Sequence, residues 1–331
     1  MNDRDTAETP LHLDARDIPI PGHISEAARQ FLALAGAAPR VEEPTGTSQE
    51  EWDAAAAGWN ARILPGMEPI LTQIPMQVQT VAVGACEVHI ATPPDLPASR
   101  GDYVFMDIHG GGLVFGAGRF ARAMAVFRAA SLGVRVVSVD YRVPPAHPYP
   151  AALDDCLGVY RHLLDQHAPG QIAVSGLSAG GNLAAAMLLR ARDEELPLPA
   201  AALLMTPELD LTESGDSFAT NRTIDVALPD GLPRANALYA SGQDLAYPYV
   251  SPLFGDFAAG FPPTFLQTGT RDLFLSNTVR MHRALLRAGQ RAELHVWEAM
   301  PHAGFGGATP EDVEMQVAMR DFLVRVAGWR L

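Results

Sequence analysis

The chain has 331 residues, 48% of them hydrophobic, with a formal net charge of −14 and two cysteines. That length can bury a large core, as one big α/β domain or two smaller ones. The charge leaves no basic excess for nucleic acid or anionic lipid, and no apolar run reaches membrane-spanning length. Cys86 and Cys156 lie far apart and fit no zinc spacing, so a reduced cytoplasm suits them better than a disulfide scaffold. Met1-Asn2-Asp3-Arg4-Asp5 is polar with no apolar stretch behind it, and a typical secretory signal is not expected. No glycine motif for binding nucleotide phosphates occurs.

Residues 1–75 hold helical stretches at 25–34 and 49–63, separated by proline-bearing loops. Phe31, Leu32, Leu34, Trp52, Trp59 and Ile63 need apolar partners, which argues against a loose extension. Segments 78–83 and 87–91 flank Gly84-Ala85 and read as an antiparallel hairpin at a sheet edge. From residue 104 onward, short apolar runs alternate with helical patterns, the signature of a doubly wound sheet. Strands are predicted at 104–108, 134–139, 172–175, 201–205, 264–268 and 292–297. Helices are predicted at 117–131, 151–166, 179–194, 276–288 and 310–326. Residues 207–250 break the alternation: they are acidic and turn-rich, with one short helical run near 232–240.

Two glycine motifs sit at strand ends. His109-Gly110-Gly111-Gly112 follows the strand at 104–108, and Gly176-Leu177-Ser178-Ala179-Gly180 joins the strand at 172–175 to the next helix. A serine on so tight a turn presents its hydroxyl while backbone amides converge beside it, and small neighbours let the turn close. The amides of Gly110, Gly111 and Ala179 would then face the oxygen of a tetrahedral intermediate. A serine hydroxyl also needs a base, and the base an orienting acid. Asp272 and His302 each follow a strand, and the order Ser178, Asp272, His302 suits an acyl-transfer triad. Asp210 also follows a strand and competes with Asp272 for the acid's part. His295 reads as a packed or surface position and His147 as a structural one, while His162, His167 and His282 lie on or beside helices.

At these residues the chain resembles the hormone-sensitive-lipase-like bacterial esterases of the α/β-hydrolase superfamily. The resemblance runs from about residue 104 to the end. It rests on the two glycine motifs and Asn182, on Asp140-Tyr141-Arg142 with Pro144, His147 and Pro148, on Thr206-Pro207, Asp210-Leu211, Gly269 to Leu273, and Pro301-His302. It implies an α/β-hydrolase fold, a mostly parallel sheet flanked by helices, with 1–75 and 207–250 forming a helical lid over a core of 76–206 and 251–331. It further implies a serine carboxylesterase of short- to medium-chain esters, with neither metal nor organic cofactor and homodimerisation possible. In that carry-over Ser178 is nucleophile, His302 base and Asp272 acid; Gly110, Gly111 and Ala179 form the oxyanion hole, and His109 and Gly112 brace it. Two positions depart: the family commonly has an acidic residue where Leu177 stands, and often serine at Thr206. A lactone, carbamate or aryl-amide substrate would use the same chemistry. A ligand receptor on this scaffold could drop its base, which the presence of His302 argues against.

Overall fold

Each apolar run expected to be a strand becomes one. β1 (Gln77–Val83), β2 (Cys86–Thr92), β3 (Val104–Ile108), β4 (Arg135–Asp140), β5 (Ile172–Leu177), β6 (Ala201–Met205), β7 (Thr264–Gly269) and β8 (Ala292–Trp297) form one sheet, ordered β1-β2-β4-β3-β5-β6-β7-β8. The hairpin β1/β2 and the β2/β4 pair are antiparallel, and every pairing from β4 to β8 is parallel. The computed structural model describes residues 14, 15, 17–36 and 42–331. The polar stretch Met1 to Asp5 lies outside them.

The helices are α1 (Glu26–Gly36), α2 (Gln49–Gln73), α3 (Arg119–Leu132), α4 (Ala151–Leu164), α5 (Ala179–Asp193), α6 (Ser217–Thr220), α7 (Pro233–Ala240), α8 (Leu275–Arg287) and α9 (Pro310–Ala327). Because side chains alternate along a strand, both faces of the parallel strands can be apolar. On β3, Val104, Met106 and Ile108 enter the layer built with α4, α5 and α8. Phe105 enters the opposite layer with α3 and α9. Burying one side chain as fully as Phe105 contributes about 1.5–3 kcal/mol, so neither layer is dispensable.

Most boundaries shift by a residue or two, and two of the shifts have a visible cause. Gly118 turns with φ 75°, so α3 begins at Arg119, two residues later than predicted. The second N-terminal helix continues ten residues past 63, through Pro65 and Pro69 to Gln73. A proline inside a helix removes a backbone donor and normally stops it. Here Trp59 packs edge-on against Phe120 and Glu68 pairs with Arg119, both on α3, and this contact carries the helix onward. A capping box formed by Ser48 and Glu51 sets its start.

Candidate active site

Parallel pairing places β3 beside β5, with Ile108 opposite Gly176, so the loops leaving these two strands meet at one edge. The turn after β5 is tight. A Cβ at Gly176 would sit 2.0 Å from the carbonyl oxygen of Gly180, and one at Gly180 would sit 2.0 Å from that of Ile108. Ser178 between them holds φ 56° and ψ −120°, a strained conformation for a residue with a side chain. Its amide donates to Met205 O at 2.9 Å, which anchors the turn to the next strand. Ser178 immediately precedes α5, whose first residue is Ala179. The positive end of that helix favours negative charge nearby.

The glycine loop abuts this turn. A Cβ on Gly110 would come 3.3 Å from Ser178 Cβ. His109 is fully buried and stacks on Tyr141 at 4.1 Å, and the Tyr141 hydroxyl donates to His109 O at 3.1 Å. His109 Nδ1 lies 2.8 Å from Gly110 O, and the carbonyl can only accept, so Nδ1 carries the proton. Burial holds this imidazole down to about 4, and it is neutral at physiological pH. Gly112 has φ 57°, and a Cβ there would meet Leu232 at 3.1 Å, so the loop runs directly under the segment leading into α7.

Asp272 and His302 arrive from the ends of β7 and β8. His302 Nε2 is 2.8 Å from Ser178 Oγ, and His302 Nδ1 is 3.0 Å from Asp272 Oδ1. Asp272 Oδ1 also accepts the Phe274 amide at 3.0 Å, and Oδ2 accepts the Thr268 hydroxyl at 2.6 Å. Phe274 packs edge-to-face on the imidazole at 4.9 Å. Nδ1–H can donate only to the carboxylate, which leaves the Nε2 lone pair facing the serine hydroxyl. Burial disfavours the imidazolium, but the hydrogen bond and charge of Asp272, with the charge of Asp225, outweigh it. The His302 pKa stands above the ordinary value.

The competing acid is engaged elsewhere. Asp210 accepts Thr212, Ser214 and, at 2.6 Å, Arg280 of α8. His295 stacks between Phe265 and Trp297, in keeping with a packed position. Asn182, part of the resemblance, gains a structural role here, and Asp225 gave no signal in the sequence. Asn182 ties α5 to the 207–250 segment by donating to Glu208 O at 2.9 Å and Val250 O at 2.8 Å. Asp225 brings a second carboxylate beside the imidazole. With Asp272 and His302 it offers ligand atoms within 4.8 Å of one another, the geometry of a cation site. Yet the carboxylates already accept donors: Asp225 from the amides of Ala227, Leu228, Leu273 and His302, and Asp272 from Thr268, Phe274 and His302. The cluster is satisfied as a hydrogen-bond network and needs no ion.

Residues 105–305 match the model of an α/β-hydrolase-fold family. The chain belongs to that family. Within it, the solved structure of an esterase, E25, superposes with a TM-score of 0.87 and 35% identity, covering 96% of this chain and 99% of that one. An esterase from the bacterial hormone-sensitive lipase family superposes with a TM-score of 0.75 at 29% identity, covering 92% and 99%. An acetyl-hydrolase of Streptomyces hygroscopicus is 33% identical over 224 residues, 67% of this chain and 73% of its own. This α/β-hydrolase is therefore one of the hormone-sensitive-lipase-like esterases. Among the described residues no helix is long and apolar enough to cross a membrane.

Proposed function

We propose that this esterase hydrolyses short- to medium-chain carboxylic esters through a serine acyl-enzyme. The observation that carries the reading is the unbroken chain from Ser178 Oγ through the His302 imidazole to Asp272, at 2.8 and 3.0 Å. His302 Nε2 takes the hydroxyl proton as Ser178 attacks the ester carbonyl, and the amides of Gly110, Gly111 and Ala179 receive the oxyanion. His302 then protonates the departing alcohol, and the acyl-enzyme remains. Water, deprotonated by the same nitrogen, attacks it and releases the acid. Asp272 stays ionised throughout, holding the tautomer and balancing the imidazolium. Helices α1 and α2, with the 207–250 segment, act as the lid: Trp52 of α2 packs with Val114 and Ala235 above the glycine loop. The acetyl-group name of the Streptomyces relative favours the short end of the acyl range.

Ser178→Ala should lower turnover of p-nitrophenyl esters by about 10⁴- to 10⁶-fold with little change in melting temperature. A fluorophosphonate probe should label the parent at Ser178 and leave the variant unlabelled. Near-normal hydrolysis by the variant would overturn the assignment. Since His302 must be neutral to act and its pKa is raised, kcat/KM should fall on the acid side around an inflection above 6.5. A pH–rate profile measures this directly, and an inflection below that value contradicts the described site.

A further inference from the structure

The segment between β6 and β7 does more than overhang the site. Ser217, Asn221 and Asp225 stand four residues apart, all three are buried, and all three turn their polar atoms onto the loop that carries Asp272. The Ser217 hydroxyl donates to Leu273 O at 2.6 Å and accepts the Ser276 amide at 2.9 Å. Asn221 Nδ2 donates to Asp272 O at 2.8 Å and Thr270 O at 3.2 Å. Asp225 closes the series and reaches further. Its Oδ2 accepts the amides of Leu273 at 2.8 Å and His302 at 3.1 Å, and its Oδ1 accepts those of Ala227 at 2.9 Å and Leu228 at 3.0 Å. A single carboxylate thus bridges the residue after Asp272 and the backbone of His302 itself.

We propose that Asp225 is a positioning residue of the hydrolytic centre, stitching the acid and base loops together and facing the imidazole with a second negative charge. The inference rests on the reading of Ser178, His302 and Asp272 as that centre. Asp272 and His302 lie 30 residues apart in sequence, on loops leaving different strands; these loops meet upstream of the two side chains, where Arg271 N donates to Met300 O at 3.2 Å and Ala299 N to Thr270 Oγ1 at 2.8 Å, and Asp225 adds a bridge at the two residues themselves. Misplacing a reacting group by about 1 Å can cost about 10²-fold in rate. Asp225 fixes both loops from one point. Its charge also favours the imidazolium that forms when Ser178 gives up its proton. The ionisable groups facing His302 are Asp272 from the loop after β7, Asp225 and Glu208 from the 207–250 segment, and Ser178 from the turn after β5. Of the carboxylates, Asp225 alone accepts hydrogen bonds from the His302 backbone.

Asp225→Asn tests this with little change in shape. One side of the amide turns an N–H₂ donor toward backbone N–H groups, so the bridge is broken on that side. With one charge fewer beside it, the imidazolium is less favoured and its pKa drops. The acid limb of kcat/KM should therefore move to lower pH by about half a unit or more. Turnover per fluorophosphonate-titratable site should fall by about ten- to a hundredfold, with KM changed less than about threefold. An unchanged acid limb, whether or not turnover falls, reduces Asp225 to a scaffold residue and overturns the proposal. Should the variant not fold, hydrogen exchange in the unaltered protein decides: the Leu273 and His302 amides should be strongly protected, and exchange as fast as exposed loop amides would overturn it. Failure of the underlying reading looks different, because the parent would then neither turn over esters nor take the probe at Ser178.

Discussion

Glu208 stands next to the serine turn and has little to satisfy it. Its amide donates to Ser178 O at 3.1 Å, it is 1% exposed, and among the described residues Oε2 lies within hydrogen-bond distance of no partner. Burial pushes its carboxyl up to about 8, and the nearby Glu213 adds to the shift, while His302 and Asn236 oppose it. At neutral pH the folded protein therefore keeps a proton that the unfolded chain would lose. The stability this gives is complete below the ordinary glutamate value and drains away as pH rises through about 8. Glu208→Gln removes the slope. Its melting temperature should match the parent near pH 5 and exceed it above pH 8 by about 2–4 °C for each kcal/mol recovered. Scanning calorimetry across that range checks it, and parallel pH curves for the two proteins contradict it. No motif marks Glu208 or Asp225 in the sequence, whereas Ser178, Asp272 and His302 were legible. The difference is physical. A nucleophile on a strand-to-helix turn must have small neighbours and a base at a strand end must follow an apolar run, so chemistry leaves a local pattern. A buried carboxylate that accepts amides from distant loops needs no particular neighbours along the chain, so nothing in the sequence singles it out.

At the scale of elements, the strands were readable because a strand buried on both faces is an apolar run that turn residues must interrupt. α2 was not fully readable, because Pro65 and Pro69 signal an end that packing on α3 overrides. That helix is fastened lightly. Trp52 is its one buried residue, packed with Val114 and Ala235, tilted 6.0 Å from Phe115, and donating from Nε1 to Gly46 O at 3.1 Å. Phe115 in turn closes the glycine loop, its amide donating to Gly111 O at 2.8 Å. A second fastening joins the N-terminal segment to α7, where Glu43 accepts the amides of Arg234 and Ala235 at 3.0 and 2.8 Å. Trp52→Ala removes about 3–5 kcal/mol of packing from a helix whose other fastenings, Trp59 on Phe115 and Phe120 and Glu68 with Arg119, lie nearer solvent. Limited proteolysis should then cut within α2 while the sheet core survives. KM for p-nitrophenyl butyrate should rise several-fold, and Ser178 should still take the fluorophosphonate. Proteolytic resistance equal to the parent, with KM unmoved, would mean that α2 is held by contacts other than Trp52 and does not act as the lid.

Over the whole molecule, the net charge of −14 sets a field that the site does not escape. Asp272 and Asp225 set negative charge against His302, and Glu43 and Glu213 lie on the segments around α7. An ester carrying its own carboxylate must approach against this potential, whereas a neutral ester feels only the shape of the site. Salt shortens the reach of exposed charges, from about 30 Å at 0.01 M to about 8 Å at 0.15 M. The kcat/KM for a p-nitrophenyl hemisuccinate should therefore lie below that for the butyrate ester, which has a similar acyl length. Raising salt from about 10 to about 300 mM should lift the hemisuccinate value about threefold or more while the butyrate value stays within about twofold. Steady-state kinetics with the two substrates side by side separates the field from any general effect of salt on the enzyme. A hemisuccinate hydrolysed as well as the butyrate at low salt would contradict this expectation.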